Sequence, residues 1–306
     1  MAQTLTDIRA TLAAYGLRPK HRLGQNFLHD QNQLDRIVSA AEIVQGQAVL
    51  EVGPGTGTLT QRLLKAGARV LAVEVDERLM PILCDRLVGY GDQVEVVHGD
   101  ILAGKHALNA EVMERVGKMI GGDEHGSPSP SKRSDETPPP LSPMAGCFKL
   151  IANLPYHVAS PLLVNLVVDH PEMEMAVVMV QREVAERLCA KAGAGRAYGP
   201  VGIIVQAMCE VQRLFTLGPG CFWPQPKVES AVVRIRRRER PLTDDPAGFA
   251  RAVHRLFHTR RKQLGSVIGR NHRLPAGIEA GMRAEELTVQ QLVALAGVMG
   301  PCAEGG

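Results

Sequence analysis

The chain has 306 residues, 45% of them apolar and 4% aromatic, with 35 Lys and Arg against 32 Asp and Glu for a net charge of +3. This composition is ordinary for a globular protein, with core enough for one large domain or two modest ones. No run approaches the roughly 18 uninterrupted apolar residues of a bilayer span, and the N-terminus mixes Asp7 and Arg9 with helix formers instead of building a hydrophobic signal core, so a membrane or secreted protein is not expected. Cys84, Cys147, Cys189, Cys209, Cys221 and Cys302 are scattered, with no C-x-x-C pair and no clustering with histidines. That predicts reduced thiols, a cytoplasmic location and no metal site.

In chain order, the first feature is a small basic cluster, Arg18, Lys20 and Arg22. Short β-branched runs bounded by Gly, Asp or Pro follow at 48–53, 69–75, 94–100, 148–155 and 176–181, and they read as strands. Helical patterns at 59–66, 78–87 and 183–190 lie between most of them, which predicts a parallel, doubly wound α/β sheet. Runs at 211–217 and 230–237 bring the expected strand number to about seven. Beyond Pro241 the strand signature gives way to helical stretches at 248–257 and 284–296, so a sheet domain over 1–238 is expected to precede a small helical domain over 239–306.

One segment is foreign to this plan. Ser127–Pro143 holds six Pro and five Ser in seventeen residues, without apolar periodicity, and an insert over about 121–146 is expected to be disordered. A helix expected over 109–120 precedes it, so the tract meets the sheet at the amino end of the 148–155 strand. Ligands of open α/β sheets bind at the carboxyl ends, which places the tract away from the chemistry.

Glu51-Val52-Gly53-Pro54-Gly55-Thr56-Gly57 follows the first strand and opens a helix. The spacing is G-x-G-x-G, not the G-x-G-x-x-G that presents a dinucleotide pyrophosphate to a helix N-terminus, and Glu51 sets an anion beside the turn. A carboxylate there suits a cationic ligand such as the amino acid end of S-adenosylmethionine. Glu74, at the end of the next strand, suits ribose hydroxyls, and Asp100, after the third, suits an adenine amino group. A structural strand-to-helix turn with capping carboxylates is the alternative.

Asn153-Leu154-Pro155-Tyr156 follows the fourth strand, at the same carboxyl edge. Asn153 offers a side-chain carbonyl, Pro155 stiffens the turn and frees neighbouring backbone carbonyls, and Tyr156 supplies a flat face. Two acceptors and a stacking surface fit a planar amine such as that of adenine. Its nitrogen is a poor nucleophile until hydrogen bonds favour the pyramidal form. No general base is required, because the methylated nitrogen can lose its proton afterwards to water. A Pro-Tyr turn packed on the core is the alternative.

Charge is uneven along the chain. Lys227 to Lys262 holds eleven Lys and Arg against four Asp and Glu, while residues 41–226 sum to −5 (16 minus 21). Polyanion binding is the expectation for that basic stretch. Alternation within Arg234–Arg238 suggests an edge strand with one solvent face.

Together these segments resemble the small-subunit ribosomal RNA adenine N6,N6-dimethyltransferases. Leu23-Gly24-Gln25-Asn26-Phe27-Leu28, the glycine loop, Asn153-Leu154-Pro155-Tyr156, Gln181-Arg182-Glu183-Val184-Ala185, Ala197-Tyr198-Gly199, Phe222-Trp223-Pro224-Gln225-Pro226-Lys227-Val228-Glu229-Ser230 and Arg260-Arg261-Lys262 fall in that family's order. The resemblance implies a Rossmann-like class I methyltransferase sheet, with Asn26, Leu28, Glu51, Gly53, Gly55, Glu74, Asp100 and Asn153 around S-adenosylmethionine. It implies that Asn153, Leu154, Pro155 and Tyr156 engage the target adenine, with Phe222 closing on the base. It also implies a substrate: two adjacent adenosines in a hairpin loop near the 3′ end of small-subunit rRNA, presented in the immature subunit and swung out for reaction. Arg18, Lys20, Arg22, Lys227, Arg234, Arg236, Arg260, Arg261 and Lys262, with Arg237, Arg238 and Arg240, would then meet rRNA phosphates. Apart from the resemblance, no amphipathic heptad stretch suggests a dimer, so a monomer is expected.

The sequence departs from the family's usual pattern at His157, where Asn is common, at Glu229, where Asp is common, and in a long 104–146 stretch. The related large-subunit rRNA dimethyltransferases of macrolide resistance, a ribosome-assembly factor on the same frame and a nicotinamide dehydrogenase are the competing readings. Leu154 and the long Phe222–Ser230 segment favour the small-subunit branch. The intact glycine loop, Glu74, Asp100 and Asn153-Leu154-Pro155-Tyr156 disfavour the assembly factor, and G-x-G-x-G with Glu51 disfavours the dehydrogenase.

Overall fold

Seven strands form one sheet in a computed structural model that describes residues 3–104, 107–121, 146–156, 158–269 and 273–299. They are β1 (Ala48–Val52), β2 (Arg69–Glu74), β3 (Val94–His98), β4 (Phe148–Asn153), β5 (Met173–Gln181), β6 (Cys209–Leu217) and β7 (Ser230–Arg237). Their order across the sheet is β3-β2-β1-β4-β5-β7-β6. All neighbours are parallel except β7, which runs antiparallel to both β5 and β6. The expected mostly parallel, doubly wound sheet is therefore present. Winding reverses between β1 and β4, and such a reversal opens a crevice at the carboxyl ends of the two strands.

The helices in chain order are α1 (Leu5–Ala14), α2 (Gln31–Ala40), α3 (Thr58–Lys65), α4 (Met80–Leu87), α5 (Ala110–Gly121), α6 (Ala159–Asp169), α7 (Arg182–Cys189), α8 (Pro200–Met208), α9 (Pro246–His258), α10 (Leu264–Ile268) and α11 (Val289–Met299). Both sheet faces are covered, which is why the central strands read as continuous apolar runs. Val49, Val70 and Ile151 pack with Leu34, Leu63 and Leu83 of α2, α3 and α4. Leu50, Leu71 and Leu150 pack on the other face with Val112, Leu162 and Ile204 of α5, α6 and α8. Phe249, Val253 and Leu256 of α9 and Leu292 of α11 belong to that second cluster, so the helices beyond residue 238 share the core of the sheet. No helix among the described residues is long and apolar enough to cross a membrane.

Two expectations need correction. Strand β5 begins at Met173, not 176, because Met173-Glu174-Met175 continues the pairing with β4. Strand β7 is not an edge: it lies between β5 and β6, and β6 is the edge. The alternation of its arginines reports the two faces of an interior strand, with Val233 and Ile235 in the core and Arg234 and Arg236 on the opposite side, reaching Glu42. The Ser127–Pro143 tract and His157 lie outside the described residues.

Candidate active site

The glycine loop between β1 and α3 takes its shape from backbone that only glycine adopts freely: Gly53, Gly55 and Gly57 have φ of 72°, 63° and 77°. Space is tight at Gly55 as well. A Cβ on Gly55 would stand 3.0 Å from the Phe27 ring, and one on Gly53 would stand 3.5 Å from Cδ of Pro155. The loop after β1 thus touches the turn after β4. From behind, Gln3 donates to the Thr56 carbonyl (3.2 Å) and accepts from the Thr58 hydroxyl (2.7 Å), and Arg86 donates to the same carbonyl (3.0 Å).

Two buried carboxyl groups stand beside this loop. Glu74 accepts from the Gly55 N–H (3.1 Å) through one oxygen and from the Asp76 N–H (2.9 Å) through the other. Burial, with the nearby Asp76 charge, raises its pKa. Glu51 is 1% exposed, and its Oε2 has no hydrogen-bond partner among the described residues. Burial pushes its pKa up to about 8, and Glu74 pushes the same way. A buried acceptor without a donor is costly, so the carboxyl calls for a cationic or donor ligand. Asp100 is exposed and accepts from the Leu102 N–H (2.9 Å).

Asn153 closes β4. Its Nδ2 donates to the Asn26 carbonyl (3.0 Å), which fixes the amide so that Oδ1 is the acceptor left for a ligand. The Leu154 N–H continues the ladder to the Met179 carbonyl (3.1 Å), while no hydrogen bond among the described residues engages the Leu154 carbonyl. The Pro155 carbonyl is taken by the Val158 N–H (3.0 Å), so it is not an open acceptor of the turn. Asn26 and Leu28 arrive from the N-terminal segment. There Phe27–Leu28 pairs antiparallel with Phe222–Trp223, and the rings of Phe27 and Trp223 stack at 6.4 Å. Phe222 is buried beside Leu28. One pocket is lined by all of these: Asn26, Leu28, Glu51, Gly53, Gly55, Glu74, Asp100, Asn153, Leu154, Pro155, Tyr156 and Phe222.

The basic residues divide. Arg18, Arg22, Lys227, Arg261 and Lys262 are exposed. Lys20 instead pairs with the buried Asp76 (3.0 Å), and Arg234 and Arg236 both pair with Glu42 (2.7 and 2.6 Å). Arg260 pairs with Glu285 (2.6 Å) and donates to the Gly195 carbonyl (2.8 Å). Arg237 donates to the Met173, Val167 and His170 carbonyls, closing the end of α6. Lys20, Arg234, Arg236, Arg237 and Arg260 therefore have their charge or donors engaged by other groups of the protein, Arg236 in an exposed pair, which the count of basic residues along the chain does not show. Reading the sequence also passes over Gln3, Gln25, Phe27 and Asp76 as contributors. Gln25 and Phe27 lie within the Leu23–Leu28 segment, and Asp76 stands two residues after Glu74.

A sheet wound in this order, with an acidic glycine loop on its first strand and an acid closing its second, belongs to an α/β methyltransferase. Residues 16–299 match the family described as ribosomal RNA adenine dimethylase. The chain is 37% identical over 306 residues to the ribosomal RNA small subunit methyltransferase A of Ligilactobacillus salivarius, covering 95% of this chain and 93% of that one. Against the protein of the same description from Geobacillus kaustophilus it is 36% identical over 281 residues, 91% of this chain and 85% of the other. Among solved structures it resembles a dimethyladenosine transferase from Plasmodium falciparum, with TM-score 0.65 and 23% identity over 89% of this chain and 98% of that one. It also resembles the 23S rRNA methyltransferase ErmE, with TM-score 0.62 and 24% identity over 90% and 99%. The chain belongs to the ribosomal RNA adenine dimethylase family, on the small-subunit side, and is an enzyme of that class.

Proposed function

We propose that the enzyme dimethylates the N6 amines of two adjacent adenosines in the 3′-terminal hairpin loop of small-subunit rRNA, using S-adenosylmethionine, in the immature subunit. The observation that carries this reading is the pocket itself. It brings together Glu51, whose buried Oε2 has no hydrogen-bond partner among the described residues, and the Asn153 Oδ1 and Leu154 carbonyl, neither of which accepts a hydrogen bond among those residues. Glu51 suits the ammonium of the cofactor's amino acid end, Glu74 the ribose hydroxyls and Asp100 the adenine amine. The glycine loop lets backbone approach the ligand where a Cβ would strike Phe27. When bound, the cofactor supplies an electrophilic methyl group on a sulfonium.

Everything else is asked of the chain's own residues. Asn153 Oδ1 and the Leu154 carbonyl accept from the target amine, directing its lone pair toward the pocket. Tyr156 and Phe222 flank the base, and the apolar walls exclude water. No residue need remove a proton before transfer. Labelled methyl is expected in small-subunit rRNA and not in large-subunit rRNA offered in parallel; label in the large-subunit RNA would move the enzyme to the other branch.

Residues 239–306 are the proposed RNA-binding domain, and Arg261 and Lys262 are two adjacent cations among its exposed ones, with Arg240, Arg251, Arg255, Arg273 and Arg283. Replacing Arg261 and Lys262 by Ala is expected to weaken binding and to lower the slope of log K against log salt by up to about 2. An unchanged slope in a filter-binding titration removes them from the interface. The Ser127–Pro143 tract lies in sequence between α5, which ends at Gly121, and β4, whose amino end Phe148 is the end away from Asn153. Deleting the tract is expected to leave methyl transfer within about twofold of the intact protein. A folded deletion protein without activity contradicts that placement.

A further inference from the structure

We propose that Asp76 is a positioning residue that ties the cofactor side of the pocket to the target side, by holding residues 20–26 against the loop that follows Glu74. The inference rests on the proposed function of the pocket. Asp76 is buried, yet its carboxylate accepts from Lys20 Nζ (3.0 Å), Gln25 Nε2 (2.9 Å), Arg78 Nε (3.0 Å) and a second Arg78 nitrogen (2.9 Å). Its own N–H donates to Glu74 Oε1 at 2.9 Å. Gln25 has both ends of its amide engaged, because Oε1 accepts from the Lys20 N–H (2.7 Å), so its orientation is set. The next residue, Asn26, presents the carbonyl that receives Asn153 Nδ2 (3.0 Å).

A continuous path therefore runs from the ribose carboxylate through Asp76, Gln25 and Asn26 to the amide that would receive the target amine. Burial opposes ionisation of Asp76, but the bonds from Arg78, Gln25 and Lys20 hold its carboxyl well below the usual carboxylate range, so the anchor stays charged at neutral pH. Asp76, Lys20 and Arg78 do not line the pocket, whereas Gln25, Asn26 and Glu74 do. The effect of the cluster is to fix where the Asn26 carbonyl stands, and so which way the Asn153 amide faces. A small misplacement of a reacting group from a change outside the chemistry can cost about 100-fold.

The path makes the two halves separable. Gln25→Ala leaves both hydrogen bonds of Glu74 in place and removes those that tie residue 25 to Asp76 and to the Lys20 N–H. We expect its Kd for S-adenosylmethionine, read by calorimetry, to stay within about twofold of wild type, with kcat at saturating cofactor falling about 10- to 100-fold. Asp76→Asn cannot accept from all its donors and is expected to lose both cofactor affinity and kcat. The exchange Gln25→Glu with Asp76→Asn reverses donor and acceptor across the same bond, and is expected to recover kcat relative to either single change. Wild-type kcat in Gln25→Ala, a loss confined to cofactor affinity, or a double exchange no better than the single changes would each overturn the proposal. Should Gln25→Ala fold poorly, Gln25→Asn, which keeps a shorter amide, is judged by the same split. A wild-type protein that neither binds S-adenosylmethionine nor transfers methyl would remove the underlying reading, and the coupling with it. A wild type that does both leaves the variants to decide this point alone.

Discussion

Asn153→Ala is expected to lower kcat by at least about 100-fold, the scale of removing one polar group aimed at the charge that develops during reaction, while rRNA binds as before. The side chain lies at the carboxyl end of β4 with Nδ2 held by the Asn26 carbonyl, which leaves its Oδ1 as an acceptor one residue from the Leu154 carbonyl. The strand should survive the change, because the bond from the Leu154 N–H to the Met179 carbonyl does not involve the side chain. Asn153→Asp is informative for the opposite reason. It keeps an acceptor but turns a carboxylate oxygen toward the Asn26 carbonyl, two acceptors without a proton between them, so it too should lose activity. Single-turnover transfer with parallel subunit binding reads both variants. Normal turnover in Asn153→Ala would remove the acceptor argument.

Glu51→Gln should have the second largest effect, in cofactor affinity and in its pH dependence. A charge-assisted hydrogen bond contributes about 1.5–3 kcal/mol, so losing it should weaken S-adenosylmethionine binding about 10- to 100-fold near pH 8. Burial holds the Glu51 pKa at about 8 in the free protein, so at neutral pH the carboxyl is mostly protonated. A cationic ligand favours the ionised form. Binding should therefore release a proton, and wild-type affinity should rise with pH up to about 8, where an α-amino group itself begins to lose its charge. The glutamine variant should lack that rise. Stability of the free protein moves the other way: the folded state holds its proton between pH 4.5 and about 8 while the unfolded state does not, so the Glu51 contribution declines as pH rises through that window. Calorimetry in buffers of different ionisation enthalpy measures the proton release. Equal release by wild type and Glu51→Gln would place the titrating group elsewhere.

The parts of this molecule that are legible in sequence are those governed by local pattern. The runs that became β1, β2, β3 and β4 are short, β-branched and bounded by turn residues, and the glycine loop follows one of them directly. Helices α6 and α8 are harder. ASPLLVNLVVD and PVGIIVQAM are buried on several sides, so they carry little polar face from which a helical period can be read. Arginine alternation in β7 identifies faces but not neighbours, which is why an interior strand resembles an edge. The site shows the same division. Glu51, Glu74, Asp100 and Asn153 follow from their places at strand ends. The pairing of Leu28 with Phe222, the hold of Lys20 on Asp76 and the support of Thr56 by Gln3 join residues far apart in the chain, and only the fold brings them together.

The central claim is that the Glu51 pocket and the Asn153 acceptors act on one adenine amine. It is tested most directly by incubating the enzyme and S-adenosylmethionine with undermethylated small ribosomal subunits and analysing the nucleosides released from the rRNA. The account predicts N6,N6-dimethyladenosine, from two adjacent positions of the 3′-terminal hairpin, and none when Asn153 is replaced by Ala. Methyl groups on another nucleoside or another atom, or tight subunit binding with no methyl transferred, would contradict it.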